Sequence, residues 1–214
     1  MRTDGTVHGK KRAQAARGGV RRLVYPFKKE DVRALRAGDV VSLCGKVFTG
    51  RDRFHKHFAD GGGIPASLEC GALYHCGPVV VKDAAGVWRA VAAGPTTSVR
   101  ENPYEPALIA ATGLSAIIGK GGMDAATLEA CRKYGCVYLQ AVGGAAAVAA
   151  RAIKRVAGVR FLEEFGAAEA MWEFEMDGFP AVVAMDSCGN SLFDGVARAS
   201  RARLAALLEK GDMQ

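Results

Sequence analysis

Apolar positions along the chain fall in short blocks divided by Gly-rich turns, and each block predicts one element. Arg22 to Phe27 is a brief apolar run in which Pro26 makes a poor central strand. Lys28 to Ala37 predicts a helix, with Val32 and Leu35 on one side and Glu30 and Asp31 in its first turn, where acidic groups suit the dipole. Val40 to Thr49 reads as a strand and Gly50 as its end, with a helix from Arg51 to about Asp60. Short strands follow at Leu73 to Cys76 and Val79 to Val81, the latter paired as a hairpin with Val87 to Ala93. Next come a helix over 104–112 closed by Gly113, a buried strand at Ser115 to Ile118, a helix from about Asp124 to Lys133, and a strand at Cys136 to Val142. Gly143-Gly144 then opens an Ala-rich helix reaching about Val156, and Tyr104 to Val156 thus alternates as a parallel α/β unit does. The remainder predicts strands at Ala170 to Met176 and Phe179 to Met185 around an Asp177-Gly178 hairpin turn, a polar turn over Asp186 to Asn190, and a closing helix from Asp194 to Glu209.

Charge divides the chain in two. The net charge of +7 (29 basic minus 22 acidic residues) sits almost wholly in residues 1–22, which hold seven Lys or Arg and one Asp, a net of +6. The rest is about neutral. Residues 1–22 therefore read as a flexible basic arm and 23–214 as one domain. No aromatic interleaving or binding motif accompanies the arm, so nucleic acid is not the expected partner. The 214 residues contain no run of eighteen apolar residues, and Met1 to Arg22 has no apolar stretch of a signal peptide. A cytoplasmic protein is expected, its six cysteines (Cys44, Cys70, Cys76, Cys131, Cys136 and Cys188) reduced and without CxxC spacing.

The candidate chemistry concentrates in Gly94-Pro95-Thr96-Thr97-Ser98-Val99-Arg100. Capping a helix explains one hydroxyl, but not three in a row closed by a guanidinium. An Arg there suits an anion, which it holds in a two-point fork. Arg51 stands at a strand–helix junction, where helix N-termini attract anions, and His55 lies one turn on. Gly119-Lys120-Gly121-Gly122 is a further loop of this kind, but it lacks the spacing and the Ser or Thr of a Walker phosphate loop. Gly143-Gly144 lacks the third Gly of a dinucleotide fingerprint. The four histidines (8, 55, 57 and 75) suggest no ligand cluster, so no metal ligand is expected from this chain. Cations and hydroxyls without an evident strong base make up half of an active site.

Taken in order, Gly38-Asp39, Arg51-Asp52-x-x-His55, Tyr74-x-x-Gly77-Pro78, Gly94 to Arg100, Gly119 to Gly122, Gly143-Gly144-Ala145, Phe165-Gly166-x-x-Glu169-Ala170, Phe179-Pro180 and Asp186-x-x-Gly189-Asn190 resemble the class I fumarase and tartrate dehydratase family, in its β subunit or C-terminal domain. The resemblance runs from about residue 22 to 209 and leaves the arm outside. It implies an α/β fold, a swivelling β/β/α domain with a mixed sheet core flanked by helices. It implies reversible hydration of fumarate to (S)-malate, with a [4Fe–4S] cluster held by a separate α subunit and a β–β dimer within an α2β2 assembly. By the same resemblance Arg51, Arg100 and Lys120 grip the carboxylates, Thr96 is the catalytic hydroxyl, and His55 and Thr97 support it. Glu101-Asn102 stands where the family usually has Met-Asp, His75-Cys76 where a second aromatic and a small residue are usual, and Phe54 where a small residue is common. These departures flank the pocket, so tartrate or a mesaconate-type dicarboxylate stands as an alternative substrate. A non-catalytic anion- or nucleic-acid-binding module on the same scaffold is the alternative of another class.

Overall fold

A computed structural model describes residues 19–64 and 67–211. Its centre is a mixed sheet that closes on itself. The strands β1 (Arg21–Val24), β2 (Val40–Thr49), β3 (Ala72–Tyr74), β6 (Ala116–Gly119) and β7 (Val137–Gln140) lie side by side and parallel. The long β9 (Met171–Met185) then pairs antiparallel with β7 on one side and with β2 on the other, completing a ring, while β8 (Ile153–Arg160) adds outside it along β9. A hairpin of β4 (Val79–Lys82) and β5 (Trp88–Ala92) forms a separate two-stranded sheet, fixed to the ring where Trp88 meets Trp172 edge to face at 5.2 Å. The helices are α1 (Lys29–Ala34), α2 (Asp52–Ala59), α3 (Glu105–Thr112), α4 (Ala125–Tyr134), α5 (Ala146–Ala150), α6 (Leu162–Phe165) and α7 (Leu192–Gly211). The fold is the expected mixed α/β architecture, a sheet core flanked by helices.

Two-residue periodicity sorts the core. Leu73, Ile117 and Tyr138 are level with one another across β3, β6 and β7, and all three join the buried cluster shared with Phe54, Leu108, Ile109 and Cys131 of the helices. The rows above and below, Ala72–Ala116–Val137 and Tyr74–Ile118–Leu139, turn to the opposite face and pack with Leu43, Phe174, Phe179 and Val183. Each strand is buried on both faces, which is why these segments are nearly continuous apolar runs. Each fully buried Leu or Phe contributes about 1.5–3 kcal/mol.

Two expectations fail. The Ala-rich helix ends at Ala150, and the segment expected to continue it to Val156 becomes β8. Ile153, Val156 and Val159 are β-branched, and the waiting edge of β9 (Ile153↔Met176, Val156↔Phe174, Val159↔Trp172) outweighs helical continuation. Asp177-Gly178 is not a hairpin turn either, because β9 runs straight through it. The β2–β9 register jumps from Leu43↔Phe179 to Gly45↔Met176, so these residues form a bulge opposite Cys44. The Cys44 thiol donates to Asp177 Oδ1 at 3.3 Å and accepts the Gly178 amide at 3.3 Å. A turn-forming pair is thus used as a bend, because β2 partners both flanks. Of the expected basic arm, residues 1–18 lie outside the described residues, while Arg21 and Arg22 already pair with Val41 and Ser42 in β1. No helix among the described residues is long and apolar enough to cross a membrane.

At the exit of β9, buried Asp186 ties the polar turn to the α1–β2 connection. Its carboxylate accepts the amides of Cys188 (2.9 Å), Asn190 (2.9 Å) and Ala37 (3.0 Å). Burial alone raises its pKa, but these donors and the Asn190 side chain bring it below the ordinary carboxylate value. The stabilisation this adds is present above the unfolded pKa and disappears as pH falls through the lower folded one. Asp186→Ala is expected to destabilise the domain by about 3 kcal/mol, read in a denaturant titration, because three backbone amides lose a buried, charged acceptor.

Candidate active site

The four parallel strands of the ring end at one rim, at Thr49, Tyr74, Gly119 and Gln140, the edge where open α/β sheets place their ligands. The 94–100 loop is threaded along this rim by backbone hydrogen bonds. The Thr96 amide donates to the His75 carbonyl at 2.6 Å, the Lys120 amide to the Thr96 carbonyl at 3.2 Å, and the Ser98 amide to the Lys120 carbonyl at 3.0 Å. Thr97 and Lys120 thereby pair as an isolated parallel bridge. The loop then turns into a short 3₁₀ segment, Ser98–Glu101, and on into α3. Gly119 is required here, since a Cβ would collide with Ser98 Oγ.

Lys120 extends along Gly143, where an added Cβ would stand 3.4 Å from its Cδ. Together with Thr97, Gly121, Gln140 and Ala141 it lines an open cleft of about 680 Å³. Among the described residues no acidic group pairs with the Lys120 ammonium, and no side-chain hydrogen bond engages the Thr96 or Thr97 hydroxyl.

Arg51 caps the start of α2 in an extended conformation and lies flat on Gly77, where any side chain would strike its guanidinium. Its Nη2 is 3.3 Å from Glu169 and 3.7 Å from Asp52, and its buried Nε has no partner. Arg100 is gripped by Asp52 through both carboxylate oxygens, at 2.9 and 3.0 Å. Asp52 therefore bridges the two arginines. Arg51, Thr96 and Arg100 are not among the residues lining the cleft at Lys120.

Beneath the rim lies a group that sequence reasoning missed. His55, expected as a supporting residue, is fully buried and turned inward. Its Nδ1 faces the Arg51 carbonyl at 2.9 Å and Glu101 at 3.3 Å, and its Nε2 faces Glu105 Oε2 at 3.0 Å. His75 Nε2 faces the same oxygen at 3.1 Å, its Nδ1 is 3.0 Å from Ser98 Oγ, and Ser98 Oγ is 3.0 Å from the Tyr138 hydroxyl. That hydroxyl donates to the Gly121 carbonyl at 3.0 Å. The expectation that the histidines form no cluster is thus overturned for His55 and His75.

The charges in this group follow from burial and neighbours. Burial opposes protonation of His55, but Glu105 and Glu101 prevail and raise its pKa. Burial prevails at His75, whose pKa falls despite Glu105. Burial works against ionised Glu105, yet the two histidines hold it down at about 2. Burial pushes Glu101 up to about 7, with His55 opposing. The signal in the sequence was small: His75 directly after an apolar strand, and Glu101 where Met is usual. Glu105 looked like an ordinary acid in a first helical turn, and 50 residues separate it from His55.

The chain belongs to the fumarase C-terminus family, whose pattern matches residues 8–196. It is 46% identical over 187 residues, 87% of this chain, to a Geobacillus stearothermophilus protein provisionally named class I fumarate hydratase, of which it spans only 36%. A Methanocaldococcus jannaschii protein provisionally named L(+)-tartrate dehydratase β subunit is 43% identical over 182 residues, 81% of this chain and 93% of that one. The L(+)-tartrate dehydratase β subunit of Escherichia coli is 36% identical over 172 residues, 79% of this chain and 85% of that one.

An iron–sulfur cluster does not fit this chain's own thiols. Among the described residues the one group of three convergent metal-ligating side chains is His55, His75 and Glu105, with no cysteine in it. Burial raises the Cys76 thiol to about 12 despite nearby Arg51, and Cys131 and Cys136 face one another in the core, the reverse of what thiolate ligation needs. The rim itself is testable through Gly119. Gly119→Ala, forcing Ser98 aside, is expected to lower stability by about 1–3 kcal/mol in a thermal or denaturant melt.

Proposed function

We propose that the chain is the β subunit of a hydro-lyase that moves water across the carbon–carbon double bond of a C4 dicarboxylate. The supporting observation is the 94–100 loop, which the backbone holds between the ends of β3 and β6 so that Thr96 and Lys120 meet at one rim. Two carboxylates need cations, and Lys120, Arg51 and Arg100 supply them. Arg100 already holds a carboxylate, that of Asp52, in the fork geometry a substrate would adopt. Thr96 is the proton-handling hydroxyl in this reading. A neutral alcohol is a weak base, and the cations brought to the same rim would favour its alkoxide electrostatically. His55 fixes the Arg51 carbonyl from below, and Thr97 sets the position of Lys120.

A [4Fe–4S] cluster on an α-type partner would supply Lewis-acid chemistry at the substrate hydroxyl. The thiols here are unsuited to holding it, which supports a division of labour with the cluster on the other chain. Tartrate is the second substrate reading. It is favoured by the near-complete coverage of relatives named as tartrate dehydratase β subunits. A cytoplasmic α2β2 assembly is the corresponding setting.

The test is reconstitution. The chain alone is expected to be colourless and inactive, and activity on malate, tartrate or a methyl-substituted malate should appear on adding a cluster-bearing α subunit. Visible cluster absorption from the isolated chain would defeat the proposal. In the reconstituted enzyme, Arg100→Ala is expected to lower kcat/KM by more than about tenfold, roughly 1.4 kcal/mol of transition-state binding, with an unchanged melt. A smaller loss would remove Arg100 from the substrate clamp.

A further inference from the structure

The polar group beneath the rim has an unusual direction built into its hydrogen bonds. At one end the Arg51 carbonyl can only accept, so His55 Nδ1 carries a proton and a neutral His55 aims its Nε2 lone pair at Glu105. At the other end the Gly121 carbonyl can only accept, so the Tyr138 hydroxyl donates to it. Ser98 then donates to the Tyr138 oxygen and receives the Nδ1 proton of His75, and the Nε2 lone pair of His75 points at Glu105 as well. Two ring nitrogens and a carboxylate oxygen thus converge, all buried, with their ligating atoms within 4.8 Å of one another. The other oxygen, Glu105 Oε1, is buried without a hydrogen-bond partner, as are both oxygens of Glu101, one of which stands 3.3 Å from His55 Nδ1.

We infer that His55, His75 and Glu105 hold a divalent first-row transition-metal ion, zinc or ferrous iron, as a closed structural site. The donors are the imidazole nitrogens and carboxylate oxygen these ions prefer. Two ligand atoms on one tetrahedral ion stand about 3.3 Å apart, so the His–Glu105 separations of 3.0 and 3.1 Å need open by only a few tenths of an ångström, while the two Nε2 atoms, within 4.8 Å of one another, close onto the ion. Glu105 Oε1, buried without a hydrogen bond, is the second oxygen of the same carboxylate and can chelate the ion at a bite narrower than a tetrahedral edge. Both histidines have the outer-shell hydrogen bond on Nδ1 that ligating histidines make, with Glu101 a carboxylate beside His55. The ion stitches α2, the end of β3 and α3 together directly under Arg51 and the 94–100 loop. It is separate from any cluster on a partner and does not depend on the hydro-lyase reading.

The experiment is equilibrium dialysis of the full chain against Zn²⁺ or Co²⁺ alone, followed by elemental analysis and a visible spectrum. Wild type should retain one ion per chain, and the cobalt form should show d–d bands without thiolate charge transfer. Glu105→Gln, which keeps the side chain's shape, and His75→Phe should each weaken binding at least about tenfold. Cys188→Ser, at an exposed thiol, should bind as wild type does. A metal-induced rise in melting temperature should be present in wild type and absent in Glu105→Gln. A wild-type chain that retains no ion would overturn the inference and leave a protonated His55 between the carboxylates. So would thiolate charge-transfer bands, or a Glu105→Gln chain that binds normally.

Discussion

Everything at the rim depends on one pairing, that of β9 with both β7 and β2. Without it β1, β2, β3, β6 and β7 would form an open parallel sheet with an exposed edge on β7, and the inner row of Leu43, Ile118, Leu139 and Val183 would have no opposite wall. Closure makes the strands converge, so their C-terminal ends share one mouth. It also explains the bulge at Asp177-Gly178. A strand of 15 residues that serves partners on both sides must bend within the ring, and the Cys44 thiol fills the place of the lost ladder bonds.

Much of the fold was legible because most elements are decided locally. The strand at Val40–Thr49 and the helix closed by Gly113 in the left-handed conformation follow from apolar period and turn chemistry alone. The exceptions share one cause. Ile153–Arg160 follows an Ala-rich segment that reads as helix, and Asp177-Gly178 is a favoured hairpin pair. Each was overruled by a partner strand distant in sequence.

The site was legible in a different measure. Hydroxyls and cations advertise themselves in Gly-rich loops, so Thr96, Arg51, Arg100 and Lys120 could be singled out. The buried group of His55, His75, Glu101 and Glu105 could not, because contact between α2, β3 and α3 is a property of the closed ring. The only trace was an excess of polar residues at positions where the fold has no water to offer them. A histidine after a buried strand and two acids, Glu101 and Glu105, one helical turn apart make little sense until they are placed together. Their placement also explains how one fully buried polar layer can coexist with the apolar rows around it.

The grip of Asp52 on Arg100 has a consequence for the proposed substrate clamp. The protein carries its own competitor for that guanidinium, tethered one residue from Arg51. A tethered carboxylate acts as though present at millimolar concentration or above, so a solitary carboxylate from solution displaces it poorly. An anion with two carboxylates spaced to reach a further cation gains from the second contact what it loses in exchanging the first. Within the proposed substrate clamp, Asp52 would thereby work as a threshold, screening monoanions by valency before any shape in the pocket discriminates among dianions.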